Sequence, residues 1–166
     1  MPIIGAGVSA AAGLAEGEGL LAALRAELGN FPGGPPPKED EEFFTAVDLL
    51  IGDDIGREQK AQEFVARFYE DAVANADLGR IVFDLVQVPS RLMVTLNYDR
   101  SLEAAADEIG QKYDSLYGEK GIRRFNELAA AASAPELPTI LHLHGSVDDP
   151  AHLVLARGSY QDTSEA

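Results

Sequence analysis

The chain contains no cysteine. Structural disulfides, thiolate metal sites and a cysteine nucleophile are therefore excluded. Basic residues are scarce as well: 13 Lys and Arg stand against 28 Asp and Glu, a formal net charge of −15. A nucleic-acid surface needs clustered Lys and Arg, so nucleic acid is not an expected partner. The same balance disfavours an anionic membrane. No apolar run approaches the roughly 18 residues that span a bilayer. Met1 leads directly into a β-branched run rather than into a basic and then apolar leader, so a cytoplasmic protein without a signal peptide is expected. Internal repeats and low-complexity segments are also missing. What remains, 166 residues with 46% hydrophobic and 25% charged, is an ordinary globular composition with chain enough for one core.

The most informative stretch lies at the start, from Pro2 to Leu14. Ile3 and Ile4 run into Gly5, Ala6 and Gly7, and small residues then lead to a leucine-rich periodic segment. The pattern predicts a strand, a tight glycine turn and a helix start. Gly5 permits positive φ, and Gly7 lets backbone approach a ligand with no Cβ in the way. Amides beyond such a turn are unpaired at the positive end of a helix dipole and suit a phosphate. Gly5-x-Gly7-x-x-Ala10 fits the loose G-x-G-x-x-G/A dinucleotide pattern, and equally a strand-to-helix turn whose glycines serve packing alone. The acidic residue that a Rossmann unit carries about 20 residues on is not in place, because Leu20 to Leu28 reads as helix and puts Glu27 on its surface. A bound nucleotide's ribose needs another partner.

Leu14, Leu20, Leu21, Leu24 and Leu28 mark a first helix from about Ala10 or Gly13 to Leu28. Gly17 and Gly19 weaken its first half, which allows the helix proper to begin near Glu18, and Gly29-Asn30 is its expected stop. Phe31 to Pro37, with three consecutive prolines, is a loop, and Lys38 to Glu42 a charged, solvated cluster. Helices are expected over Glu41 to Ile51, Arg57 to Ala76 and Leu78 to Leu85, together a helical insertion at about 38–88. Arg91 to Asn97 is a continuous apolar strand, as in the centre of a parallel sheet covered on both faces. It ends in Asn97-Tyr98-Asp99, followed by a helix from Ser101 to Ile109 with Asp99 or Ser101 as its N-cap. Lys112 to Gly118 reads as a strand or a turn, Ile122 to Ala132 as helix, and Thr139 to Gly145 as the next strand. Asp148-Asp149-Pro150 makes a turn, and His152 to Leu155 a further strand. The fold class is α/β, a Rossmann-like parallel sheet with a helical insertion after the first helix, forming one domain over 1–166 that looks truncated at its C-terminus.

Three strand-end segments stand out: Gly5-Ala6-Gly7-Val8-Ser9, Thr95-Leu96-Asn97-Tyr98-Asp99 and Leu143-His144-Gly145-Ser146. In this order they resemble the sirtuin-like NAD-binding family, and within it the bacterial NAD-cleaving branch that acts in antiphage defence. Gly13-Leu14, Leu102-Glu103, Asp148-Asp149-Pro150, Val154-Leu155 and Tyr160 stand in matching places. The motifs cover roughly a third of the chain and are specific only as a set.

The resemblance implies cleavage of the bond between nicotinamide and ribose in NAD, bound as substrate. Gly5, Ala6, Gly7, Val8 and Ser9 would line the phosphates and adjoining ribose, with Gly145 and Ser146 beside them. Asn97 would orient the nicotinamide ribose or the attacking water, Asp99 would contact the carboxamide or ribose, and His144 would be the general base. Elementary chemistry agrees. An oxocarbenium-like carbon needs nearby acceptors and an oriented nucleophile. An Asn amide holds a water as donor and acceptor at once, and a His titrates near neutrality. A strand-end hydrogen bond is the plainer reading of His144, and a helix cap that of Asp99. His142, two residues before His144 and on the same strand face, belongs beneath the site or on the surface; His152 is read as structural.

Without cysteine, the four-cysteine zinc module of the family's deacylases is missing, so no zinc is expected. Ala15-Glu16-Gly17 also replaces the deacylases' acidic-aromatic-arginine segment, and Leu96 stands where a polar residue often precedes the asparagine. The implied function is thus an NAD glycohydrolase, triggered by homo-oligomerisation or by a sensor or effector partner. A non-catalytic NAD or ADP-ribose-binding module, or a zinc-free deacylase or ADP-ribosyltransferase, are the alternatives.

Overall fold

The computed structural model describes residues 1–15, 17–29, 43–52 and 54–155. Glu16, Asn30, the expected loop from Phe31 to Pro37, the charged cluster from Lys38 to Glu42, the segment from Arg157 onward and Tyr160 lie outside the described residues.

Among the described residues four parallel strands form one sheet: β1 (Ile3–Ile4), β2 (Leu92–Thr95), β3 (Asp114–Tyr117) and β4 (Thr139–His142), in the order β1-β2-β4-β3. The fold is α/β, as the alternating pattern requires. The helices are α1 (Ala6–Ala11), α2 (Gly17–Leu28), α3 (Phe43–Ile51), α4 (Ile55–Ala74), α5 (Gly79–Val86), α6 (Ser101–Glu108) and α7 (Gly118–Ala130). Residues of β2 and β4 alternate between two faces. Ile4, Met93 and Ile140 join the main core with Leu20, Leu24, Val47, Leu50, Val65, Val82 and Leu102. Val94 and Leu141 face the other way, against Phe125 and Ile122 of α7. Because α7 reaches only that part of the sheet, Ile3 on β1 stays 69% exposed.

The structure differs from the sequence expectation in four places. The first helix is two helices. Gly13 adopts φ +76, a conformation that costs a residue with a Cβ, and it separates α1 from α2. Gly5 does not use its freedom: it is extended, with φ −119, and α1 begins directly behind it. The long helix begins at Ile55 rather than Arg57, because Asp54 caps it by accepting from the Gly56 and Arg57 amides at 2.8 and 3.3 Å. Last, His152 to Leu155 is no strand. Pro150–His152 is a 3-10 turn, and the apolar run behind it is fastened by other groups. Gln62 donates to the Leu153 carbonyl (3.1 Å), Tyr98 Oη to the Val154 carbonyl (2.8 Å), and the Val154 amide to the His144 carbonyl (2.9 Å). The run is buried as its apolarity demands, and its backbone groups are paired by these bonds instead of by a ladder. The ambiguous Lys112 to Gly118 segment resolves as β3, an edge strand.

Candidate functional site

The sheet order makes β1, β2 and β4 adjacent, so the three strand-end segments leave the same edge side by side. Ile4 pairs with Thr95, and Thr95 with His142. The carboxyl edge of a parallel sheet is where open α/β folds bind ligands.

Asn97 stands at the centre. Its Nδ2 donates to the Gly5 carbonyl at 3.2 Å and to Ser9 Oγ at 2.7 Å. A carbonyl only accepts, so the amide orientation is forced by the partner. Oδ1 then faces away from both bonds and accepts no hydrogen bond among the described residues. The Ser9 hydroxyl passes its single hydrogen to Asp99 Oδ2 at 2.5 Å, and Asp99 Oδ1 accepts the Ser101 amide at 2.9 Å. The N-cap of α6 is Arg100, not Asp99 or Ser101 as expected; Asp99 holds the first amide of the helix and ends a buried relay, and Asn97, Asp99 and Ser9 are 9%, 3% and 4% exposed. With its hydrogen engaged, Ser9 has no donor left for a phosphate. What it supplies is the link between the glycine turn and the Asn97 segment.

His144 lies two residues beyond the end of β4. Its ring donates to the carbonyl of Leu96, the residue before Asn97. It packs edge-on against Phe44 of α3 at a centroid distance of 5.8 Å, and lies 6.5 Å from the Tyr98 ring. Burial among these rings lowers its pKa below the usual 6.5, against the pull of the Leu96 carbonyl. The ring is therefore neutral at neutral pH. Tyr98 is buried, with its hydroxyl on Val154, and burial raises its pKa far above that of a free phenol.

The two glycines of the first turn have no structural reason to be glycine. A Cβ built on Gly5 or on Gly7 meets nothing within 4 Å, and neither residue has positive φ. Open space in front of a bare backbone fits close approach by a ligand rather than a packing need. Ala6 and Gly7 are exposed there, whereas Val8 is half-buried against the core. Gly145 is the opposite case. It has φ +88, and a Cβ would strike the His152 carbonyl, so the turn itself demands glycine. Ser146 is fully buried, and its oxygen accepts the Asp148 amide at 3.3 Å. Asp148 pairs with Arg100 at 3.3 Å and Asp149 with His152 at 2.9 Å, so this acidic turn is internally satisfied. Among the described residues no group of three or more His, Asp or Glu is placed to hold a metal, and no helix is long and apolar enough to cross a membrane.

Sequence reasoning gave no role to Phe44, and met Glu103 only as part of the Leu102-Glu103 match. Phe44 comes from the helical insertion, where nothing in the pattern singles it out. Glu103 left one signal, a carboxylate inside the apolar run of α6 beside Leu102, Ala105 and Ala106. His142 proves fully buried, not a surface residue.

No curated protein matches the chain. A protein family does, and its match takes in the Asn97, Asp99 and His144 segments, while Gly5 and Ser9 are tied to it by the hydrogen bonds of Asn97. Residues 91–166, a little under half of the chain, match the family described as the SIR2-like domain and are similar to it.

Proposed function

We propose that this domain hydrolyses NAD to nicotinamide and ADP-ribose. The observation that carries the reading is the set of bonds around Asn97: its amide is pinned to Gly5 and Ser9, its Oδ1 is left over, and the glycines of the turn it is tied to front open space. NAD fits this donor set. The exposed backbone at Ala6 and Gly7 would lie along the pyrophosphate, with Val8 walling the turn and Ser9 bracing it. Gly145 and Ser146 shape the turn that presents His144.

In the reaction, the bond between ribose C1′ and the nicotinamide nitrogen breaks, and its electron pair leaves with neutral nicotinamide. Positive charge develops at C1′. Asn97 Oδ1 accepts a hydrogen from the attacking water or a ribose hydroxyl, and Asp99 supplies negative charge behind it. Water adds at C1′, and the unprotonated nitrogen of His144 takes its proton. The Leu96 carbonyl holds the imidazole in the tautomer this requires.

The biological setting that the resemblance suggests is antiphage defence through NAD depletion, with activity switched on by self-association or by a sensor partner. The experiment is to incubate the protein with NAD and follow nicotinamide release, for the wild type and for Asn97→Ala and His144→Ala. Release that both substitutions abolish supports hydrolysis at this site. Binding of NAD and ADP-ribose with no turnover at high protein concentration favours a non-catalytic nucleotide-binding module. Release that depends on an acyl-peptide or a protein acceptor favours a transferase or deacylase.

A further inference from the structure

Beneath the Asn97 turn lies a charged pair that the proposed reaction does not touch. His142 ends β4 and Glu103 sits in the first turn of α6, with side chains 0% and 1% exposed. His142 Nε2 is 2.7 Å from Glu103 Oε1, and Nδ1 of the same ring is 3.0 Å from the carbonyl oxygen of Asn97. A carbonyl can only accept, so Nδ1 carries a hydrogen. Glu103, whose pKa is held low by its partners, also only accepts when ionised, so Nε2 carries a hydrogen too, and the ring is an imidazolium between two acceptors.

Burial works against both charges, but other interactions outweigh it. For His142, the bond and charge of Glu103, the Asn97 carbonyl and the charge of Asp99 hold the pKa above the usual 6.5. For Glu103, the bond and charge of His142 and the hydrogen from Ser115 Oγ at 2.7 Å hold it below the usual 4.5. Arg100 and Tyr113 are the other titratable groups that feel Glu103. Glu103 Oε2 is buried and has no hydrogen-bond partner among the described residues. A buried ion pair with an unsatisfied oxygen contributes little to stability compared with apolar side chains of the same volume. Its presence calls for a reason other than stability, and the second bond of the imidazolium points to one.

We propose that His142 and Glu103 form a positioning pair that sets Asn97 for its task. His142 holds the Asn97 carbonyl, and Thr95 Oγ1 receives the Asn97 amide at 3.1 Å, so the backbone is fixed at both ends. The side chain then has one orientation, with Nδ2 on Gly5 and Ser9 and Oδ1 outward. Glu103 acts through His142: without the negative charge the ring keeps a single hydrogen, and nothing fixes that hydrogen on the nitrogen that faces the Asn97 carbonyl. The pair is intact over a defined window. The His142 contribution is fully present below its ordinary 6.5 and fades as pH rises through its raised value. The Glu103 contribution is present above its ordinary 4.5 and fades as pH falls through its lowered value.

This inference rests on the role given to Asn97 above, and its test separates the two. Nitrogen-15 NMR of the wild-type protein should show one histidine with both ring nitrogens protonated at pH 7. Raising the pH should shift the Asn97 side-chain amide signals with the same midpoint as that ring. Neither measurement needs turnover, so both stand even if NAD is not cleaved. Glu103→Gln should abolish the imidazolium signal, move the Asn97 amide signals and lower kcat about 10- to 100-fold with KM nearly unchanged, by analogy with residues that orient ligating groups. Glu103→Asp should restore part of each. A neutral His142 at pH 7 overturns the proposal, as do Asn97 signals that ignore the titration. If Glu103→Gln does not fold, the wild-type titration alone decides.

Discussion

Asn97 Nδ2 and Ser9 Oγ are 88 positions apart in sequence and 2.7 Å apart in space. Through this bond the glycine turn after β1 and the polar end of β2 become one unit, with Asp99 as its far end. Asn97→Ala removes both amide bonds and the outward Oδ1. Nicotinamide release should fall by about 10²- to 10³-fold, the scale for losing one preorganised group at a reacting centre. Asn97 is nearly buried, so the melting temperature should also drop, and circular dichroism should confirm that the fold survives.

Gly5→Ala and Gly7→Ala should separate stability from ligand binding. Both sites have room for a Cβ and neither needs positive φ. Stability should be unchanged or rise by about 0.4–1 kcal/mol through the stiffer unfolded chain. Affinity for NAD should nevertheless weaken, read as a higher dissociation constant by calorimetry. Loss of stability without loss of affinity would mean that these glycines serve packing.

Gly145→Ala tests the opposite case. The left-handed conformation and the collision with the His152 carbonyl should cost about 2 kcal/mol or more, seen as a lowered denaturation midpoint. Activity per folded molecule should fall too, since the turn carries His144.

The pH profile reports on His144. The base must be unprotonated, and burial lowers its pKa below 6.5, so the acid limb of kcat/KM should have its midpoint below 6.5. Phe44→Ala strips one ring from the imidazole and lets water in. The limb should then move up toward 6.5. A limb that stays in place assigns the titration to another group.

In the main core, Leu24 is fully buried between α2 and its neighbours. Leu24→Ala should destabilise by about 2–5 kcal/mol in chemical denaturation, with the m-value unchanged. Intact NAD affinity of the folded fraction would mark it as purely structural.

The α/β class, the central strand ending at Asn97 and the three strand-end motifs were legible from local sequence alone. Apolar runs, glycine turns and helical stripes have their causes within a few residues, and a parallel strand covered on both faces reads as uninterrupted Leu-Met-Val. Whether those motifs meet was not legible. Adjacency of β1, β2 and β4 depends on pairing between residues far apart, and only that pairing brings Gly5, Asn97 and His144 to one edge. Local pattern also named the wrong cause for two features. Gly5 looked like a left-handed turn residue but is extended in front of open space, and the apolar run after His152 looked like a strand but is held by Gln62, Tyr98 and the His144 carbonyl. The burial of His142 against Glu103 was decided by tertiary structure as well, because a side chain's charge state depends on which distant groups fold around it.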